Sequence, residues 1–467
     1  MCMKKTLILI PFLLFCMAKN IYSVEPEWNG SEKIIQSIEE TRFPAEFYNI
    51  IDFGAKEGLH TLSTEAINLA IITCNQNGGG TVIVPKGEFL TGPIVMKSNV
   101  NLYIEEGGVL KFSTDDKLYM PAVFTRWEGI DCYNTSPLIY AYGETNMAIT
   151  GKGVIDGQAS KEHWWPWNGN PRFGWREGIP HQKGGSRDRL QKYAEQIVPV
   201  SERIMGLEDA LRPQLVNFIF CNKVLIEEVT FLNSPFWVIH PLFCKNLIIR
   251  GVKIHSLGPN GDGCDPESCS NVLIEKCYFD TGDDCIAIKS GRNADGRRWN
   301  SPSENIVIRD CIMKRGHGGV VIGSEISGGC RNLYVENCQM DNQELNRVIR
   351  IKTNTCRGGV IENIYVRNIE VGQCKEAVLK INLDYQPDEE CDRSYLPMIR
   401  NVFLEHMTCQ KSKYGVFIIG LKDSSKQIDN IKITNCQFNN VNETYNITGA
   451  SNVKFTNVIM NGEKIKY

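Results

Sequence analysis

The sequence predicts an all-β fold, a single-stranded right-handed parallel β-helix with an N-terminal capping helix. Three observations carry that prediction. A short segment recurs along the second half of the 467-residue chain, each copy alternates apolar and polar residues, and nearly every copy opens on Asn. Alternation is the period of a strand rather than of a helix. A strand that returns at intervals too long for a hairpin and too short for a domain is the unit of a solenoid.

The copies are NLIIRGV from Asn246, NVLIEKC from Asn271, NIVIRDC from Asn305 and NLYVENC from Asn332. NIYVRNI from Asn363, NVFLEHM from Asn401, NIKITNC from Asn430 and NVKFTNV from Asn452 complete the row, and KVLIEEV from Lys223 fits without its Asn. Successive starts lie 22 to 38 residues apart. No single coil can bury its own apolar face, so the coils must stack around a shared core. The repeated Asn is expected at a bend, its amide bonding to the copies above and below. Leucine-rich repeats are the nearest competitor, but they need denser Leu and a helical turn in every unit.

The remaining elements follow in chain order. Residues 1–23 carry Lys4 and Lys5, a short apolar run from Thr6 to Ala18 and a small residue at Ser23. That order reads as a secretory signal, too short for a membrane span. Residues 24–467 are then one β-helix domain. Ser63 to Cys74 carries Ala66, Ile67, Leu69, Ala70 and Ile71 at helical spacing, suited to closing the open end of the core. A charged, Trp-bearing stretch at about 156–213 breaks the repeat and reads as an insertion from one coil, with a helical run from Arg187 to Glu195. Its Trp164, Trp165, Trp167 and Trp175 are expected to pack the insertion.

Composition limits the function. Hydrophobic residues make up 42% and charged residues 22%, which supports a sizeable core and excludes a disordered chain. With 51 Lys+Arg against 54 Asp+Glu, the net charge of −3 gives no basic face for nucleic acid. Among the 18 cysteines, Cys277, Cys311, Cys338 and Cys436 occupy a place that other coils fill with Val252, Ile369, Met407 and Val458. A site that accepts all of these is an inward core position, where a thiol acts as a small hydrophobe. Cys264 and Cys269 are the closest approach to a metal-ligand pair, and they lack a second pair.

Four segments place polar residues between the repeats: GPNGDGCDP with Asn260 and Asp262, TGDDCIAIKSG with Asp283 and Asp284, RGHGGVVIGSE with His317, and RIK with Arg350 and Lys352. The steps from Asp262 to Asp283, Asp284 to His317 and His317 to Arg350 are 21, 33 and 33 residues, each about one coil. Adjacent coils lie about 4.8 Å apart, so these side chains can gather on one face. Paired carboxylates are what glycoside hydrolysis needs, one to protonate the leaving oxygen and one to deprotonate water. Like charges held close raise one pKa towards that of a working acid. Consecutive residues in a strand point to opposite faces, so Asp283 and Asp284 need an irregularity beside Gly282. Arg350 and Lys352 share a face and suit a substrate that itself carries a carboxylate. Lys289, Arg292, Arg297 and Arg298 add positive charge just after the Asp pair, and Trp237 and His240 are candidates to line a subsite.

With these motifs in order on a β-helix repeat, the chain resembles the polygalacturonase family of glycoside hydrolases, from about Phe53 through FLTGPIVMKSNVNLY and NSPFWVIHPL to the last coils. The resemblance implies that Asp283 is the general acid, that Asp262 and Asp284 hold and activate water, and that His317 assists the acid. It also implies that Arg350 and Lys352 bind the galacturonate carboxylate, with Asn260 beside them. Gly261 departs from the larger residue many relatives carry there. The implied enzyme is an exported inverting hydrolase of α-1,4-linked galacturonic acid in pectin or oligogalacturonides, working as a monomer without cofactor or metal. GGVVIGSEISGG and NSPFWVIHPL resemble the exo-acting members, and the insertion could wall off one end of the cleft. The alternatives are a rhamnogalacturonan or substituted-galacturonan hydrolase, a calcium-dependent pectate lyase, and a non-catalytic carbohydrate-binding solenoid.

Overall fold

The computed structural model describes residues 26–422 and 426–467, so the expected signal at residues 1–23 lies outside the described residues. Thirteen strands, from Phe47–Asn49 to Ser451–Thr456, form one parallel sheet in which each strand pairs with those of the neighbouring coils. A second sheet contains Lys253–Ser256 and Tyr278–Thr281, and a third contains Ile286–Ile288, Val320–Ile322, Arg347–Lys352 and Ala377–Asn382. Strand Thr408–Ile419 runs through both, pairing first with Glu370–Gln373 and then with Ala377–Asn382. The repeat therefore folds as the alternation predicts. Inward residues such as Ile306, Ile308, Leu333 and Val335 stack into one buried core that runs the length of the coils.

The Asn row makes the expected ladder. Asn271 Nδ2 donates to Asn246 Oδ1 at 3.4 Å, Asn305 to Asn271 at 3.3 Å, Asn332 to Asn305 at 3.0 Å and Asn363 to Asn332 at 3.2 Å. Each Asn of the row sits at φ between 51° and 59°, a left-handed bend that Asn tolerates better than other side chains. The copy at Lys223 does not end the ladder. Asn222, one residue earlier, accepts from Asn246 at 3.0 Å.

Helix Thr64–Gln76, opened by Ser63, buries Ala66, Ile67, Ala70, Ile71 and Cys74 against the core, while Leu69 faces solvent. A second N-terminal helix, Gly30–Ser37, was not evident in the repeat. It lies on the outer face of the long sheet, where Ser31 Oγ donates to Glu336 at 3.1 Å and Tyr334 Oη to Glu27 O at 3.2 Å. The four in-register cysteines are buried in the core, as are Cys264 and Cys269. Among the described residues fourteen cysteines are free, and Cys356 is bonded to Cys391.

Residues 157–215 leave the repeat between strands Val154–Asp156 and Val216–Ile219, with helix Ser186–Glu195 in the expected place. This stretch packs against an antiparallel hairpin, Val123–Trp127 with Ile130–Asn134, that periodicity did not reveal. Leu190, Ala194 and Met205 join Trp127, Ile130 and Phe236 in a separate buried cluster. Trp164 packs edge-on against Tyr119 and Trp167, and Trp165 Nε1 donates to Ser234 O at 3.0 Å.

Candidate active site

The third sheet turns one column of side chains outward: His240, Asp265, Ala287, Val321, Arg350, Lys380 and Phe417 follow one another in register. Asp262, Asp283 and Asp284 lie where the chain enters this sheet. Carboxylate oxygens of all three lie within 4.8 Å of one another. Asp283 and Asp284 occupy a bend after Tyr278–Thr281, not a bulged strand, and the bend removes the strand's alternation. Gly282 is required there, because a Cβ would meet Gly258 O at 2.2 Å. At Gly318 a Cβ would meet Val321 Cγ2 at 2.3 Å and Asp284 Oδ1 at 3.3 Å, so His317 needs its small neighbour to approach the cluster.

Each aspartate has a different environment. His317 Nδ1 lies 2.9 Å from Asp283 Oδ1, and the His317 backbone N–H donates to Asp283 O at 2.9 Å. Burial pushes the Asp283 carboxyl up, but the His317 hydrogen bond and the charges of His317, Lys352 and Lys289 outweigh it and hold the group below its usual value. The same hydrogen bond and the Asp283 charge raise His317. Asp284 is fully buried; Lys352 Nζ donates to its Oδ2 at 2.8 Å, while its Oδ1 has no hydrogen-bond partner among the described residues. Asp262 is raised well above the carboxylate range, first by burial and then by Asp265 and Asp283. Proximity thus pushes up a carboxyl, but it is Asp262 rather than the acid of the adjacent pair. Three cations meet this cluster, and the three carboxylates form a set that has the donor chemistry of a metal site.

Arg350 is 8% exposed and has no ion-pair partner among the described residues. The Tyr385 ring lies 5.4 Å from its guanidinium and 5.6 Å from Lys352 Nζ. Asn260 Oδ1 accepts from the buried Arg212 Nη2 at 2.7 Å, which fixes it at the rim. A cleft of about 550 Å³ is lined by Asn260, Asp283 and His317 from the coils and by Asn168, Arg172 and Lys183 from the insertion.

Some expected positions are placed elsewhere. Arg292 pairs with Glu389, Arg297 donates to Cys356 O, and Arg298 pairs with Asp131, so of the four following cations only Lys289 turns to the carboxylates. It lies 3.9 Å from Asp262, 3.8 Å from Asp265 and 3.1 Å from Glu325. His240 does not line a subsite: it is fully buried with Nε2 2.8 Å from Glu267. Trp237 is buried too, its ring 4.4 Å from Lys289 Nζ.

The sequence profile described as Glycosyl hydrolases family 28 matches residues 205–397. The crystal structure of a hyperthermoactive exopolygalacturonase from Thermotoga maritima is 44% identical, covers 95% of this chain and 98% of its own, and superposes with a TM-score of 0.91. The chain belongs to glycosyl hydrolases family 28. Among other relatives, the exo-poly-α-D-galacturonosidase of Dickeya chrysanthemi is 26% identical over 89% of this chain and 74% of its own length. The Yersinia enterocolitica family 28 exopolygalacturonase shares the fold at 24% identity and a TM-score of 0.72, over 89% of this chain and 76% of that one.

Within this family 28 site, sequence reasoning missed Asp265, Glu325 and Tyr385. Asp265 and Glu325 stood inside quoted motifs, and their register with the other charged positions was the available signal. Tyr385 lies in the excursion between repeats, where no period applies; its backbone O accepts from Asn354 Nδ2 at 2.7 Å.

Proposed function

We propose that this protein hydrolyses α-1,4 galacturonosyl links of pectin from a chain end, releasing galacturonic acid. The observation that carries the proposal is the sharing of one sheet face by the aspartate cluster, with oxygens within 4.8 Å, and the unpaired Arg350. A carboxylate-bearing sugar bound by Arg350 and Lys352 is thereby placed over an acid and a base. The fit to a uronate is what separates this reading from a neutral-sugar hydrolase. The exo-acting relatives add to it, and insertion residues on the cleft wall supply a physical reason for end attack.

In the mechanism we infer, Asp283 protonates the leaving oxygen. The proton comes along the 2.9 Å contact from His317, which is raised and therefore holds it. Asp284 takes a proton from water through its unpartnered Oδ1, and the water oxygen forms the new bond to the anomeric carbon as the glycosidic bond breaks. Asp262, its carboxyl pushed up by burial, orients the water; Asn260 holds the rim. The separation rule assigns carboxyls as close as about 5 Å to retention. Burial argues the other way: Asp284 is 0% and Asp262 3% exposed, which favours a small water, rather than either carboxylate oxygen, as the atom that meets the sugar. We infer inversion. NMR of the first-formed anomer tests it, and a product of retained configuration would require a different nucleophile.

The domain reading, export by residues 1–23 and action as a monomer belong to the same proposal. Mass spectrometry of products from polygalacturonate with a chelator present is the direct test. Saturated monomer is expected; saturated oligomers would overturn end attack. Unsaturated products that appear only with calcium would convert the aspartate set into a cation site and the enzyme into a lyase.

A further inference from the structure

We propose that the outer face of the third sheet beyond Arg350, at Lys380, Tyr414 and Phe417, is a further subsite that holds the uronate next in line after the two sugars flanking the cleaved bond. The inference rests on the uronate-hydrolase reading above and extends it to residues that no motif marks.

Register makes the case first. Arg350 pairs with Lys380 and Lys380 with Phe417, while Arg347 pairs with Ala377 and Ala377 with Tyr414. These are the columns that carry Arg350 and, three residues earlier in the strand, Arg347, continued one and two coils downstream. Coils lie about 4.8 Å apart, so Lys380 and Phe417 stand roughly one sugar ring beyond Arg350. Chemistry makes the case next. The rings of Tyr414 and Phe417 lie 4.6 Å apart at 37°, and Lys380 Nζ is 5.0 Å from the Phe417 ring. A cation seated on an aromatic floor suits a uronate, whose ring offers an apolar face and whose carboxylate seeks a donor.

Charge points the same way. Glu376 pairs with both Lys380 and Arg347, one carboxylate for two cations, and Arg350 next to them has no ion pair among the described residues. Lys413 lies 4.9 Å from the Tyr414 ring and adds to the surplus. Upstream, the same column passes through Val321 and Ala287 to the buried Asp265 and His240, so it offers no exposed cation to a further uronate on that side.

Digalacturonate spans the cleaved bond alone, whereas trigalacturonate adds the residue this subsite would hold. Lys380→Gln keeps the stem and removes the charge; Phe417→Leu keeps most of the volume and removes the ring. Each is expected to lower kcat/KM on the trimer by about tenfold to a hundredfold, the range of one charge-assisted contact or stacked ring, with hydrolysis of the dimer within about twofold of wild type. Thermal melting verifies that both variants fold, and trimer affinity in an Asp283→Asn background should fall by the same factor. Equal losses on dimer and trimer, or no loss on either, overturn the subsite while leaving the function standing. A wild-type protein that binds and cleaves neither sugar overturns both.

Discussion

The two halves of the third sheet's outer face carry the same kind of residues and use them in opposite ways. Upstream, His240, Glu267 and Asp265 are buried, and Arg126 of the hairpin reaches Glu267 at 3.2 Å and Asp131 at 2.6 Å. Downstream, Arg350 has no ion partner among the described residues, and Lys380 and Phe417 remain partly exposed. The insertion and hairpin cover the first half and stop at the coils that carry the aspartate cluster. Charge that is covered must be paired, because an unpaired buried ion is costly; charge left at an open face is available to a ligand. The difference turns one end of a groove into a wall.

Several measurements would break or sharpen that contrast. The largest effect is expected at the boundary itself: Asp283→Asn should lower kcat by about 10²–10⁴-fold while leaving substrate affinity nearly intact, and unchanged turnover would remove Asp283 from the chemistry. Next come two arginines, one from each half. Arg126→Ala leaves Asp131 and Glu267 short of a buried partner and should cost about 3–5 kcal/mol of stability, read as a lower melting temperature. Arg350→Gln should leave melting unchanged and raise KM for polygalacturonate by about ten- to a hundredfold. If both acted on stability alone, the two halves would not differ.

A subtler test is pH. His317 is raised, so its part of the pair with Asp283 is fully present below the ordinary imidazole value of about 6.5 and is lost as pH rises through the higher folded value. Asp283 is lowered, so its part is present above about 3.9 and is lost as pH falls through the lower folded value. The pair should therefore be most effective between these limits, and kcat/KM should decline on the alkaline side above about 6.5. A profile with no decline on the alkaline side would mean that His317 does not supply the acid's proton.

What the sequence disclosed follows from what repeats. Asn246, Asn271 and Asn305 mark the same bend in successive coils, so any residues at one offset from them must be neighbours, and Asp283 and His317 are. The offset locates side chains that belong to the period. It is silent about those that reach in from outside, such as Tyr385 and Asn168, and about where Arg292 and Arg298 point once Glu389 and Asp131 are within reach. Spacing also cannot rank pKa values, since Asp262 is raised by burial that only the assembled coils create.

The buried thiols bear on how the chain is made. In the finished solenoid Cys285 and Cys330 are chemically quiet: burial pushes both up to about 12, so thiolate, the species that oxidants and disulfides react with, is scarce there. That protection exists only after the coils have stacked. A chain not yet folded exposes, among the described residues, fourteen thiols besides Cys356 and Cys391, and each is a wrong partner for that bond. Refolding should accordingly recover more protein when a mild reductant is present during collapse and oxidation follows than when oxidant is present from the start.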